Sequence, residues 1–208
     1  PIELGPFHIT PFLVDHSAYD AYALLVEADG KRLFYSGDFR SHGRKSKLHD
    51  RLIANPPQGI DVLLLEGSSL SRIDTDASFP SESELEEQLV AQLQSTKGVT
   101  LFHTSAQNID RLVTVYRACK RTDRPLVIDL YAAAILAATE NPHIPQSNWP
   151  GVLLYLPHRQ AIQVKRNAWF DLLSKHSSHR IYNNQLKTKA ANGVFLFRPI
   201  LMNDLDEA

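Results

Sequence analysis

A single cysteine, Cys119, among 208 residues excludes an internal disulfide and a cysteine-rich zinc site. Such a chain suits a reducing compartment, and a cytoplasmic location is the expectation. Charge of one sign is also lacking. Lys and Arg number 22 against 23 Asp and Glu, for a formal net charge of -1. No global field draws the chain to nucleic acid or to an anionic membrane, so any nucleic-acid site has to be a local basic patch. Long apolar runs are missing too. Runs such as residues 62–65 and 130–138 fall well short of the roughly 20 needed to span a bilayer. The opening Pro1-Ile2-Glu3 has neither the basic nor the apolar region of a signal peptide. What is present is ordinary globular composition: 43% hydrophobic and 22% charged residues, enough for a sizeable core and too apolar for wholesale disorder.

Two styles of sequence follow one another. Residues 8–14 read as a strand with Pro11 at a bend or an edge. Residues 22–28 and 31–36 form two further strands joined by Asp29-Gly30, a strong two-residue hairpin signal. Residues 37–47 are a polar, basic loop, and 48–54 a short helix that stops at Asn55-Pro56-Pro57. Residues 61–66 read as a buried strand ending in an acid. The pattern then changes. Ser81 and Glu84 have capping-box spacing ahead of a helix over 82–95. Strands at 99–103, 125–129, 151–156 and 194–198 alternate with helices at 108–121, 131–140 and 168–175. Such alternation implies a parallel sheet covered by helices. The expected division is residues 1–72 and 73–208.

Three acids or histidines stand where strands of the first part end: His16, Asp38 and Glu66. A rigid sheet aims such side chains while the following loop admits substrate. Imidazole nitrogen and carboxylate oxygen are both zinc ligands, and one Asp can bridge two metal ions. Residue type alone leaves plainer readings open. His16 can be a strand-end histidine with a backbone partner, Asp38 a turn acid after Gly37, and Glu66 a surface charge.

Segment 10–22 (TPFLVDHSAYDAY), followed by segment 33–40 (LFYSGDFR), resembles the second half of a metallo-β-lactamase domain. More narrowly it is similar to the β-CASP branch, which includes ribonuclease J and the endonuclease of mRNA 3′-end cleavage. The resemblance implies that His16 is a zinc ligand and that Asp38 bridges two metals. Glu66-Gly67-Ser68-Ser69 is similar to the acidic motif of that branch, which implies that Glu66 orients a ligand or the substrate. Segments 102–111 (FHTSAQNIDR) and 124–131 (RPLVIDLY) resemble the β-CASP insert, an α/β cap. The implied fold is α/β: part of a metallo-β-lactamase β-sandwich plus a β-CASP-like cap with a parallel sheet, the cap incomplete at its end. The implied catalytic residues are Asp38 and Glu66, with His16 and Asp38 on metal. Arg40, Arg44, Lys45, Ser68, Asn108 and Arg111 are candidates for substrate contact. Zinc is the implied metal, with manganese as an alternative, and RNA or single-stranded DNA the implied substrate.

Departures from the pattern set limits. The primary zinc motif of that family, His-x-His-x-Asp-His, occurs nowhere in the chain, and no late Ser-Gly-His follows the cap segment. One histidine and one aspartate fall short of a two-metal site, so this polypeptide is expected to be inactive alone. Loss of the front sheet would also leave apolar strand faces open, covered by a missing front half or by self-association. The alternatives are a small-ester hydrolase of the same fold and a non-catalytic module that binds nucleic acid or a partner.

Overall fold

The structure, a computed structural model, describes residues 1–67, 79–202 and 204. The chain is a mixed α/β protein of two compact units, residues 1–83 and 84–208.

Unit 1 is a five-stranded sheet in the order β1 (Ile2–Leu4), β2 (Phe7–Val14), β3 (Ala21–Ala28), β4 (Lys31–Tyr35), β5 (Val62–Leu64). The first three pairings are antiparallel and β4–β5 is parallel. Asp29 and Gly30 both have positive φ, 49° and 70°, as a type I′ hairpin requires. That turn sets Ala28 opposite Lys31 and fixes the β3–β4 register. Pro11 lies past the end of the β1 pairing, where no ladder needs its missing N–H.

Strand alternation gives this sheet two faces. One carries Phe12, Val14, Ala23, Leu25 and Phe34, packed with Phe39, Ile60 and Leu52 of α1 (Ser46–Ala54). The other face is also apolar and stays open among the described residues. Paired positions across it include Leu4 with Phe7, Leu13 with Tyr22, and Tyr35 with Leu64. All six of these side chains are exposed, from 38% at Leu13 to 64% at Leu4. The buried strand expected at 61–66 is a correction here. β5 is the sheet's edge, and Val62 to Leu65 are all exposed. An apolar run reports what a strand needs on its faces, and among the described residues none covers this one.

Unit 2 is a five-stranded parallel sheet flanked by helices. It begins with α2 (Glu82–Ser95), which starts at the boundary, and β6 (Thr100–His103). These are followed by α3 (Ile109–Arg121), β7 (Leu126–Ile128), α4 (Leu130–Ala138), β8 (Val152–Tyr155), α5 (His158–Arg166), α6 (Phe170–Lys175), β9 (Arg180–Ile181), α7 (Asn183–Lys189) and β10 (Val194–Phe197). The strand order is β6-β10-β7-β8-β9, parallel throughout. The central strands are nearly continuous buried apolar runs, as a sheet covered on both faces demands. From β6 to β9 the chain steps one way across the sheet, and α7 reverses it. Right-handed crossovers therefore put α7 on the face opposite α3, α4 and α5. On its own face α7 packs Leu186, with Ala190 just past its end, against Val127, Tyr155, Ile181 and Phe195.

Arg124, 6% exposed, ties this unit together. Its guanidinium donates to the carbonyls of Asn192 (2.6 Å), Leu93 (2.9 Å), Thr96 (3.2 Å) and Gly98, and to Thr100 Oγ1 (3.0 Å). Cys119 is 1% exposed on α3, and burial pushes its thiol pKa up to about 12. Below that pH the sulfur stays protonated and weakly nucleophilic. Iodoacetamide at pH 8 should therefore leave the native thiol unmodified and alkylate it fully once guanidinium unfolds the chain. Rapid native labelling, followed by mass spectrometry, would show that α3 opens. Among the described residues no helix is long and apolar enough to cross a membrane.

Candidate functional site

The carboxyl ends of β2, β4 and β5 and the start of β3 lie at one end of the unit 1 sheet, since β2 and β4 both run antiparallel to β3 while β5 runs with β4. The loops that follow these strands carry His16, Asp38 and Glu66. Two hydrogen bonds join the three segments. The Arg40 N–H donates to the Asp15 carbonyl at 2.7 Å. The Phe39 N–H donates to Glu66 Oε2 at 3.1 Å. Each bond involves the immediate neighbour of His16 or Asp38. Glu66 is drawn in further by its own N–H, which donates to Ser36 Oγ at 2.9 Å. Asp38 itself is exposed and His16 half-buried. Gly37, just before Asp38, has φ +58° and leaves no room for a side chain. A Cβ there would sit 2.7 Å from the Tyr22 carbonyl oxygen, so the backbone of the Asp38 loop rests directly on β3.

Asp15 is the residue that sequence reasoning missed. It has 0% exposure. Its Oδ2 accepts from the Gly43 N–H at 2.7 Å and its Oδ1 from the Lys45 N–H at 3.3 Å. Arg40 Nε lies 3.8 Å from Oδ1. A buried carboxylate is stable only when such donors surround it, and here they come from one loop, residues 40–45. The available signal was an acid at the end of an apolar strand, with a glycine-containing basic loop downstream to cap it.

The basic cluster is largely engaged in structure. Arg40 is 13% exposed and lies between Asp15 and Glu82, whose Oε1 is 3.7 Å from Arg40 Nη1. Lys45 Nζ donates to the carbonyls of Ala18 (2.9 Å) and Tyr19 (2.5 Å), tying the His16 loop to the basic loop. Arg44 is half-buried and also has a partner. These cations hold the loops in place. Ser68 lies outside the described residues. Asn108 and Arg111 belong to unit 2. Asn108 Oδ1 accepts from the Arg111 N–H at 3.0 Å and caps α3, which engages that side chain in the helix start. Arg111 is half-buried and has a partner.

The donor set does not hold a metal by itself. Among the described residues there is no group of three or more His, Cys, Asp or Glu side chains suited to an ion. His16 Nδ1 accepts from the Ala18 N–H at 3.2 Å. In the neutral ring that leaves the proton on Nε2. A histidine that ligates through Nε2 needs the other tautomer, with Nδ1–H donated to an acceptor. His16 would have to give up its bond to Ala18 to take that role.

No family model matches the chain. Among solved structures, the crystal structure of a protein of unknown function from Enterococcus faecalis V583 is similar. The TM-score is 0.55 at 19% identity, covering 99% of this chain and 56% of that one. At that identity the likeness is one of fold alone. The chain spans little more than half the length of that solved structure.

Proposed function

We propose that this chain is a segment of a metal-dependent phosphodiester hydrolase of the metallo-β-lactamase fold, β-CASP branch, acting on RNA or single-stranded DNA. In this reading unit 1 is the second half of the catalytic sandwich and unit 2 the cap. His16 and Asp38 are two of several metal ligands. Glu66 is a positioning residue that holds the Asp38 loop through the Phe39 N–H. The observation that carries the reading is the pair of hydrogen bonds from Phe39 to Glu66 and from Arg40 to Asp15, which joins three sequence-distant motifs at one end of one sheet. The residues present do not complete a metal site, so the remaining ligands are proposed to come from polypeptide outside residues 1–208. The test is cleavage of labelled RNA and single-stranded DNA, with zinc or manganese, by a polypeptide extended to carry those ligands. If it leaves both uncut, or if the Asp38→Ala variant cuts at the parental rate, the reading is wrong.

The open apolar face of unit 1 supports the same reading. Burying a Leu, Ile or Phe side chain is worth about 1.5–3 kcal/mol, so each half-exposed one forgoes on the order of 1 kcal/mol. Leu4, Phe7, Leu13 and Leu64, with Tyr22 and Tyr35 beside them, together approach the lower end of the stability of a whole domain, about 5–15 kcal/mol. A second β-sheet packed about 10 Å away is the natural cover for such a face. Without it, residues 1–208 should bind the dye 8-anilinonaphthalene-1-sulfonate and elute from size-exclusion columns above the monomer mass. Leu13→Glu combined with Tyr35→Glu should restore the monomer and abolish dye binding. A parent chain that is already a dye-free monomer would show that the face needs no cover.

A further inference from the structure

In unit 2 a cavity of about 280 Å³ is lined by residues of α4, α5 and the start of α6. Two aromatic rings border the cavity, Tyr131 at 41% exposure and Trp169 at 47%. Leu130, Ala134 and Val164 supply apolar lining, and Gln163 supplies a side-chain amide.

The Tyr131 ring is fixed from two directions. Arg198 stacks on it, with Cζ 4.8 Å from the ring centroid, and Arg198 is itself paired with buried Asp129. Gln107 Nε2 donates to the Tyr131 hydroxyl at 3.2 Å. Trp169 is set by the turn that ends α5. Ala168 takes φ +54°, uncommon for a residue with a Cβ, and the Trp169 N–H donates to the Val164 carbonyl at 3.0 Å. An aromatic ring held in place yet exposed, with a second exposed ring on the same cavity, offers a stacking surface for a base.

Charge identifies the occupant. Helix α5 carries Arg159, Lys165 and Arg166 and no acid. Arg159 and Arg166 are exposed, without an acidic partner among the described residues. They stand four residues before and three after Gln163, hence on its face of the helix. A planar ring that offers hydrogen-bonding edges and is joined to phosphate matches this combination. An aromatic side chain of a peptide would have no use for the two cations.

We propose that this cavity is a nucleotide subsite. The base stacks against Tyr131 and Trp169, its edge meets the Gln163 amide, and its phosphate meets Arg159 and Arg166. The inference goes beyond the hydrolase reading and needs no metal, so it is tested in EDTA and stands or falls separately.

Trp169 is one of only two tryptophans. In a Trp149→Phe background it is the sole reporter. Uridine and adenosine 5′-monophosphates, an eight-residue oligouridylate and a phenylalanine-containing peptide are titrated against the full chain. The expected result is saturable quenching by the nucleotides. Equal affinity for monophosphate and oligomer marks the free nucleotide as ligand, and a tighter oligomer marks a strand. Tyr131→Ala should weaken binding about tenfold or more, in line with the stacking of one base on one ring. Tyr131→Phe should stay within about threefold of the parent. Arg159→Gln with Arg166→Gln should weaken binding and flatten its salt dependence. Anisotropy of a labelled oligomer on the parent chain, with circular dichroism of each variant, guards against a misfolded reporter. Absence of saturable binding by any nucleotide overturns the proposal. So does an affinity that neither Tyr131→Ala nor the double arginine variant changes, or quenching by the peptide alone.

Discussion

Asp38→Ala, in a polypeptide extended to the full ligand set, should lower metal-dependent cleavage of labelled RNA by more than about 100-fold. Groups that only orient a ligand already cost 10–100-fold when removed, and Asp38 is proposed to touch the metal. Glu66 separates the two roles. The Glu66→Gln variant keeps an oxygen that can accept from the Phe39 N–H, so its loss should stay near the bottom of that range. Glu66→Ala removes the acceptor and leaves the Asp38 loop untied, so it should fall toward the top. Metal content, measured beside activity, completes the test. Zinc should fall sharply in Asp38→Ala and only modestly in Glu66→Gln. If the Gln and Ala variants at 66 behave alike, the bond to Phe39 is not what Glu66 contributes.

Asp15→Ala should destabilise unit 1 by about 3–5 kcal/mol, the usual cost of removing one partner from a buried charged cluster. The carboxylate is fully buried and takes the N–H groups of Gly43 and Lys45. Without it both donors are orphaned, each at a cost of about 1–3 kcal/mol, and Arg40 loses a carboxylate beside it. With an m value of about 1–3 kcal/mol per molar urea, the midpoint should move down by more than about 1 M. Asp15→Asn keeps one acceptor oxygen and brings a donor toward other donors, so it should fall between. An alanine variant within about 1 kcal/mol of the parent would mean that the 40–45 loop is held by something other than this carboxylate.

These bonds also define what could be read in advance. The β3–β4 hairpin was legible because Asp29-Gly30 is a local signal, complete within two residues. The parallel sheet of unit 2 was legible from alternation, which survives errors at element ends. Helices α5 and α7 were not expected. α5 starts after Pro157 with no side-chain cap, and only Gln160 and Val164 of it are buried, so its apolar stripe is too thin to stand out. α7 is a seven-residue helix that buries Leu186. β5 was misread because an apolar run does not say whether a neighbour is present. At the site, the places of His16, Asp38 and Glu66 at strand ends were visible in order along the chain. The role of Asp15 was not, because its partners lie 28 and 30 residues away. Arg40 and Lys45 read as free cations for the same reason: their partners sit on segments distant in sequence.

The strand order of unit 2 has a consequence for biosynthesis. β10, the last of the described strands of this unit to be made, fits between β6 and β7, the first two. A ribosome that has released everything up to residue 190 has produced a sheet with its central slot vacant, and Asn192, an acceptor for Arg124, is still in the tunnel. Contacts this distant in sequence form slowly. The half-built unit would present two unpaired strand edges facing each other, a state open to chaperones and prone to stray pairing. Translation arrested while β10 is still in the tunnel should therefore give an insoluble product, whereas arrest with β10 fully outside it should not.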